Sequence, residues 1–302
     1  MLYDIHNYAK IGIVLTQAYP EASKNEMAFL AALKKILVDD YFDLLEISQL
    51  PFASLNDVVP AIIKASHMDF TYCGHSRLFA SKLNINSLDE TERVKAVEEM
   101  KRGLDEAHAF GASEYQFLSR TYDETKIAEH IDALAKSTRE ICEYAKQYNI
   151  PVTLEIFDYD VDKKSLLGPI DRVVAFMEKV KDLDNFGFMV DCSHIPLIRE
   201  TLSENMDPIK DKILHAHMGN AQFKIKDDAA YGDMHPRFGY PGGENDTEYL
   251  AEFLQKLKDY GYLYEGGNND LSFEIRPVPG EDPDLVIANA KRTLNAAWRM
   301  VK

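Results

Sequence analysis

Short apolar runs and longer amphipathic stretches alternate along the whole chain. The short runs are β-branched or aromatic and bounded by turn residues, which is how strands buried on both faces read. Eight of them stand at residues 11–16, 41–48, 68–74, 114–119, 152–157, 186–191, 213–218 and 271–276. The stretches between them space apolar residues three and four apart. One carries Val94, Val97, Met100, Leu104 and Ala107, and another carries Tyr249, Leu250, Phe253, Leu254 and Leu257. That spacing lines one face of a helix. Ser23 with Glu26, and Ser87 with Glu90, have capping-box spacing. Asp282–Pro283 predicts the start of the last helix, and Gly261 the end of the one before it.

Eight strand–helix units with no linker-like stretch predict an α/β fold, one closed (β/α)8 barrel forming a single domain over residues 1–302. An open doubly wound sheet is the alternative. Such a sheet places a glycine-rich phosphate loop after its first strand, where this chain has LTQAYPEAS. The longest stretch without a helix or strand pattern is 219–246, which includes DMHPRFGYPGGEND. A loop of that length in a compact domain is usually functional or disordered. Leaving the C-terminal end of a barrel strand, it lies on the face that carries active sites.

Composition narrows the classes. The chain is 46% hydrophobic and 28% charged, with a formal charge of −16. An acidic balance without a basic run argues against nucleic acid as a partner. Cys73, Cys142 and Cys192 are scattered and odd in number, so they suggest neither a zinc site nor a disulfide framework. The N-terminal MLYDIHNYAKIGIVL lacks the pattern of a secretory signal. No apolar run approaches the ~18 residues a membrane span needs. The expectation is a cytoplasmic protein with a small-molecule partner; association into a homo-oligomer is left open.

Chemistry concentrates at four strand ends. TLEIFD puts Glu155 in an apolar strand, FMVDCSH puts Asp191 at a strand end with His194 three residues on, LHAHMGN supplies His217, and LSFEIRP supplies Glu274. Charged groups in buried strands are costly unless paired or metal-bound. On successive strands these four would converge at the barrel mouth, where a divalent cation resolves the repulsion of three carboxylates. Oxygen and imidazole donors suit Mn²⁺, Mg²⁺, Co²⁺ or Zn²⁺.

This order of residues resembles the xylose isomerase-like barrel superfamily, which includes sugar and sugar-phosphate isomerases, ketose 3-epimerases, inosose dehydratases and endonuclease-IV-type nucleases. The resemblance covers essentially the whole chain. It implies one divalent metal held by Glu155, Asp191, His217 and Glu274, and a small carbohydrate substrate. Asp191-x-x-His194 and His217-x-Gly219 resemble the corresponding strand ends of ketose epimerases, where the first histidine contacts substrate. Two departures stand out. Val161 and Phe223 occupy positions where those epimerases carry a Glu and an Arg, although Lys224 adjoins the second. The loop 233–244 resembles the Asp-x-His loop of the nucleases, so His194, Asp233 and His235 match the ligands of a second metal. The nucleases also use histidines after the third and fourth strands. Here TYCGHSR offers His75 slightly late and YQFLSR offers none.

Other positions carry less. His75 and Arg77, and likewise Ser119 and Arg120, follow strands and fit a pocket or an exposed loop equally. Arg276, two residues beyond Glu274 on the same strand face, suits an anionic group of the substrate or an ion pair. Arg237 and Lys224, both in the long loop, are further substrate-binding candidates. His215 reads as a core histidine, and His6, His67, His108 and His130 as surface. Trp298 reads as packing, and Cys192 is assigned no chemistry.

The implied reaction is isomerisation or epimerisation of a sugar, sugar phosphate or polyol through an enediolate. Glu155 and Glu274 would move the proton and His194 would orient a substrate oxygen. A dehydratase or other lyase shares the first step, with His235 as its acid or base. Phosphodiester hydrolysis of the abasic-site nuclease type, and binding of a sugar or metal without turnover, are the remaining readings. The loop 219–246 is expected to close the pocket and bring Asp233 and His235 to the metal. There they would form either a second metal site with His194 or a proton shuttle.

Overall fold

A computed structural model describes residues 3–302. Eight parallel strands close into a barrel in chain order: β1 Lys10–Val14, β2 Leu44–Ser48, β3 Asp69–Cys73, β4 Glu114–Leu118, β5 Val152–Glu155, β6 Phe186–Asp191, β7 Ile213–Met218 and β8 Asp270–Phe273. β8 returns to β1 with Ile13 opposite Phe273, so the sheet has no edge.

The outward faces are apolar and mostly covered, Leu214 on β7 being the exception at 40% exposed. Ile11, Ile13, Leu45, Tyr72, Tyr115, Phe117, Leu154, Phe188, Ala216, Leu271 and Phe273 belong to one buried core shared with the helices. Glu90–Phe110 contributes Val97, Met100, Leu104 and Ala107 to it, while Val94 is 40% exposed. The barrel interior is polar. Glu46 on β2, Gln116 on β4 and His215 on β7 reach one another across it. Glu114 and Thr153 join them by a hydrogen bond of 2.7 Å.

Several local expectations are corrected. Asn25 and Asp89, not Ser23 and Ser87, cap their helices, accepting from Ala28 N and Thr91 N. In both helices the acceptor two residues later stands directly before the first helical residue, where its oxygen reaches the free N–H groups of the first turn, and Ser87 instead donates to Glu92 at 2.6 Å. The capping box is formed by Thr201 and Glu204. Asp282 does cap the last helix, and Gly261 follows Thr247–Asp259 with φ of 75°. β8 ends at Phe273, so Glu274 and Arg276 lie beyond the strand rather than in it. His130 is buried, with its ring nitrogens occupied by the Asn86 carbonyl and the Asp123 N–H.

Candidate active site

The polar strand ends of β5 to β8 meet at the barrel mouth. Glu155, Asp191, His217 and Glu274 each present one donor atom, and these atoms all lie within 4.8 Å of one another. His217 Nδ1 is 2.9 Å from Glu274 Oε2, 3.8 Å from Asp191 Oδ2 and 3.9 Å from Glu155 Oε1.

Two of the outer oxygens are held: Ser193 N donates to Asp191 Oδ1 at 2.6 Å and Gln17 Nε2 donates to Glu274 Oε1 at 2.9 Å. His75 Nε2 lies 3.1 Å from Glu155 Oε2 without a hydrogen bond. The inner oxygens Glu155 Oε1 and Asp191 Oδ2 are buried and accept no hydrogen bond. Bare buried carboxylate oxygens facing an imidazole nitrogen cost several kcal/mol unless positive charge sits among them. Burial opposes an imidazolium at His217, yet Glu46 and Glu274 outweigh it and hold the ring's pKa well above the usual value. Burial likewise opposes the Glu274 carboxylate, but His235 and His217 keep its pKa well below the ordinary range. The donor set and its bare oxygens fit a divalent cation.

A second cluster adjoins the first. Asp233 Oδ1 is 3.0 Å from His194 Nε2 and 2.9 Å from His235 Nε2, while Lys163 Nζ lies 2.8 Å from Asp233 Oδ2. His194 Nδ1 donates to the Ile156 carbonyl at 2.9 Å, which leaves only Nε2 to face Asp233. His235 takes a left-handed φ of 47° and accepts from Arg276 N at 2.7 Å. Burial works against charge on His235, but Asp233 and Glu274 push its pKa up to about 9. The His217-x-Gly219 pairing has a steric cause: a Cβ on Gly219 would lie 2.7 Å from the Glu274 carbonyl oxygen and 3.0 Å from His235 Nδ1. The long loop thus brings Asp233 and His235 beside the ligand cluster. Asp191, His194 and His235 also offer atoms within 4.8 Å of one another, a second group of metal-ligating type beside the first.

Above Glu155, His217 and Glu274 lies a cavity of about 200 Å³, whose walls include Gln17, His75, Phe79, Phe157, Lys163 and Asp233. Three of the expected substrate-binding cations lie elsewhere. Lys224 pairs with Glu244 at 2.9 Å on the surface. Arg237 pairs with Glu281 at 2.9 Å and packs over Tyr240. Arg276 lines a separate groove with Pro277 and Pro279. The loop folds back on itself, with Asn220 donating to the Arg237 carbonyl and Asn245 to Cys192, and this carries its cations outward. Arg77 is buried against Tyr72, Glu99 and Glu106, on the helix side of β3. Ser119 bonds Ser165, and Arg120 stacks on Phe79.

Gln17, Glu46 and Lys163 were absent from the sequence-level candidates. Glu46 carries the same signal as Glu155, an acid inside an apolar strand. Lys163 sits in a loop and Gln17 in the one-turn helix Leu15–Ala18, where nothing in their spacing marks them.

The chain belongs to the xylose isomerase-like TIM barrel family, which matches it over residues 43–290. Among solved structures it is similar to a D-tagatose 3-epimerase-like protein, at 20% identity over 95% of this chain and 98% of that one, with a TM-score of 0.71. D-psicose 3-epimerase with D-tagatose from Clostridium cellulolyticum H10 is 16% identical over 97% and 99% of the two chains, with a TM-score of 0.67. The IolI protein with a binding zinc atom is 15% identical over 96% of each chain, with a TM-score of 0.65. At these identities the likeness establishes the shared barrel. No curated protein matches the chain. Among the described residues no helix is long and apolar enough to cross a membrane.

Proposed function

We propose that this chain is a metal-dependent sugar isomerase or epimerase acting on an uncharged monosaccharide. The observation that carries the reading is the pair Glu155 and Glu274, from β5 and the end of β8, converging on His217 in the lining of one cavity. Glu155, Asp191, His217 and Glu274 would hold the ion. The chemistry a bound divalent cation supplies here is polarisation of a substrate carbonyl, which acidifies the neighbouring C–H.

Glu155 and Glu274 then act on that carbon, one taking its proton and the other returning one. The outer oxygen of Glu274 is steadied by Gln17, and that of Glu155 faces His75. His194 and His235 both turn Nε2 to Asp233, the member of that cluster that lines the cavity, and so fix its carboxylate toward a substrate hydroxyl. Phe157 and Phe79 bound the cavity and limit water. Lys163 is the cationic side chain in the cavity wall, and its ammonium is taken up by Asp233 and Asp162. Among the described residues that line the cavity no cation is left free for a phosphate, which favours a neutral sugar. The solved relatives support this choice, one being an epimerase with D-tagatose.

A lyase acting by the same proton abstraction is favoured by one observation. His235 Nε2 lies 3.5 Å from Glu274 Oε1, within reach of protonating a leaving hydroxyl. Ketoses and inososes incubated with the Mn²⁺- or Co²⁺-loaded protein in D₂O distinguish the readings by NMR. Epimerisation gives deuterium wash-in with the carbon skeleton and oxygens retained, whereas a lyase gives a dehydrated product. No exchange with any neutral sugar, but exchange with sugar phosphates, would overturn the substrate assignment.

A further inference from the structure

Glu46 is fully buried in the barrel below the four candidate ligands, on a strand that contributes none of them. Its carboxylate oxygens lie 3.2 and 3.3 Å from His217 Nε2, the ring nitrogen opposite the one facing Glu155, Asp191 and Glu274. The carboxylate is itself fixed from two further strands. His215 Nε2 lies 2.9 Å from Oε1, and Gln116 Nε2 donates to Oε2 at 3.0 Å. Cys73 Sγ adds a weaker donor at 3.6 Å. Partners on β4 and β7 thus leave Glu46 no other orientation.

A neutral imidazole carries one N–H and one lone pair, and the nitrogen that meets an acceptor keeps the proton. Both ring nitrogens of His217 face carboxylates, with Nδ1 2.9 Å from Glu274 Oε2; a cation among the four candidate ligands would take the place of the Nδ1 proton, and Glu46 at Nε2 would keep the other, which leaves the lone pair on Nδ1. The same contact raises the basicity of the ring as a donor and fixes its plane.

We propose that Glu46 is a positioning residue that holds His217 in its Nε2–H form, aims Nδ1 at the cation and raises the affinity of the site. This rests on the metal-centre reading above. A purely structural Glu46 would affect the stability of the barrel and leave cation affinity alone.

The test is Co²⁺ binding to the intact chain, followed by chelator competition and by the visible spectrum of the bound ion. Glu46→Gln keeps size and one acceptor but removes the charge and offers an N–H₂ to the two rings. Its Co²⁺ affinity should fall by about 10- to 100-fold, with a changed spectrum. Melting of the metal-free variant serves as the control for folding. Should Glu46→Gln not fold, Glu46→Asp takes its place; it withdraws the carboxylate by one methylene and should also weaken binding. Long-range ¹H–¹⁵N spectra of the Zn²⁺-loaded wild type need no variant and should show His217 protonated at Nε2 and ligated at Nδ1. Wild type that binds Co²⁺ while the variant binds it within twofold overturns this inference alone, as does ligation through Nε2. Wild type that takes up no divalent ion overturns the metal reading and this inference together.

Discussion

The two halves of the barrel are both polar inside, but their polar groups are in opposite states. In the β1–β4 half the buried charges are satisfied: Glu46 has two histidines and Gln116, and Glu114 accepts from Thr153 and faces His215 Nδ1 at 3.2 Å. Among the bare groups there is Thr71 Oγ1, a neutral hydroxyl that costs far less than a charge. In the β5–β8 half, Glu155 and Asp191 each keep one oxygen bare at the point where the side chains converge. Groups with full complements of partners hold shape. Charged groups left without them require something the chain does not supply, and this separates scaffold from site more sharply than burial does.

The largest expected effect breaks that contrast on the open side. Glu155→Gln and Asp191→Asn remove carboxylates that repel their neighbours, so the metal-free proteins should melt no lower than wild type. They should also lose the stabilisation that added Mn²⁺ gives wild type. If Glu155 moves the proton, its variant should lose about 10³-fold in turnover, within the range for general acid–base groups. Metal-dependent melting unchanged in both variants would show that the bare oxygens are not ligands.

The satisfied half should respond through stability instead. Glu114→Ala strips partners from Thr153 and Gln116 and leaves His215 opposite a cavity. Breaking one side of a buried charged pair costs roughly 3–5 kcal/mol, and Glu114→Ala should lower unfolding free energy in urea by about 3 kcal/mol. A loss below about 1 kcal/mol would mean the interior network is slack.

The same division explains what could be read from sequence. Glu155, Asp191, His217 and Glu274 stand out because each interrupts or ends an apolar strand, and the barrel alternation brings those ends to one place. Glu46 interrupts LLEIS in the same way, but its meaning lies in His215, 169 residues away, and no local pattern carries that pairing. The polar interior was hidden because the outward residues of each strand are apolar and dominate the run. Lys163 depends on how the loop after β5 folds over Asp233, and the capping residues depended on which of several adjacent acceptors met an N–H.

Asp270, at the start of β8, gives the interior network a pH dependence. Burial, offset in part by His215 and resisted by Lys10, pushes its pKa up to about 6. A carboxyl raised on folding contributes its stability fully below the unfolded value near 4, and that contribution is lost as pH rises through about 6. The loss is on the order of 2 kcal/mol between those limits. Asp270→Asn cannot ionise, so its melting temperature relative to wild type should climb from pH 4 to pH 7 and then level. A constant difference across that range would mean Asp270 is charged throughout.

The smallest effects are expected from the cations that sequence placed near the substrate. Lys224 has 60% of its side chain exposed and pairs with Glu244, a surface contact worth about 1 kcal/mol or less. Arg237 is engaged by Glu281, and Arg276 lines a proline-walled groove apart from the cavity. Lys224→Ala and Arg276→Ala should therefore leave kcat/KM for a neutral sugar within about twofold, because neither side chain lines the cavity. Lys163→Ala is the internal contrast. It exposes Asp233 Oδ2, unbalances the His194–Asp233–His235 cluster and should lower kcat/KM well beyond either of the others. A tenfold loss in Arg276→Ala, confined to phosphorylated or carboxylated sugars, would instead place an anionic end of the substrate in the groove beyond Glu274. The cavity would then be the reacting half of a longer site.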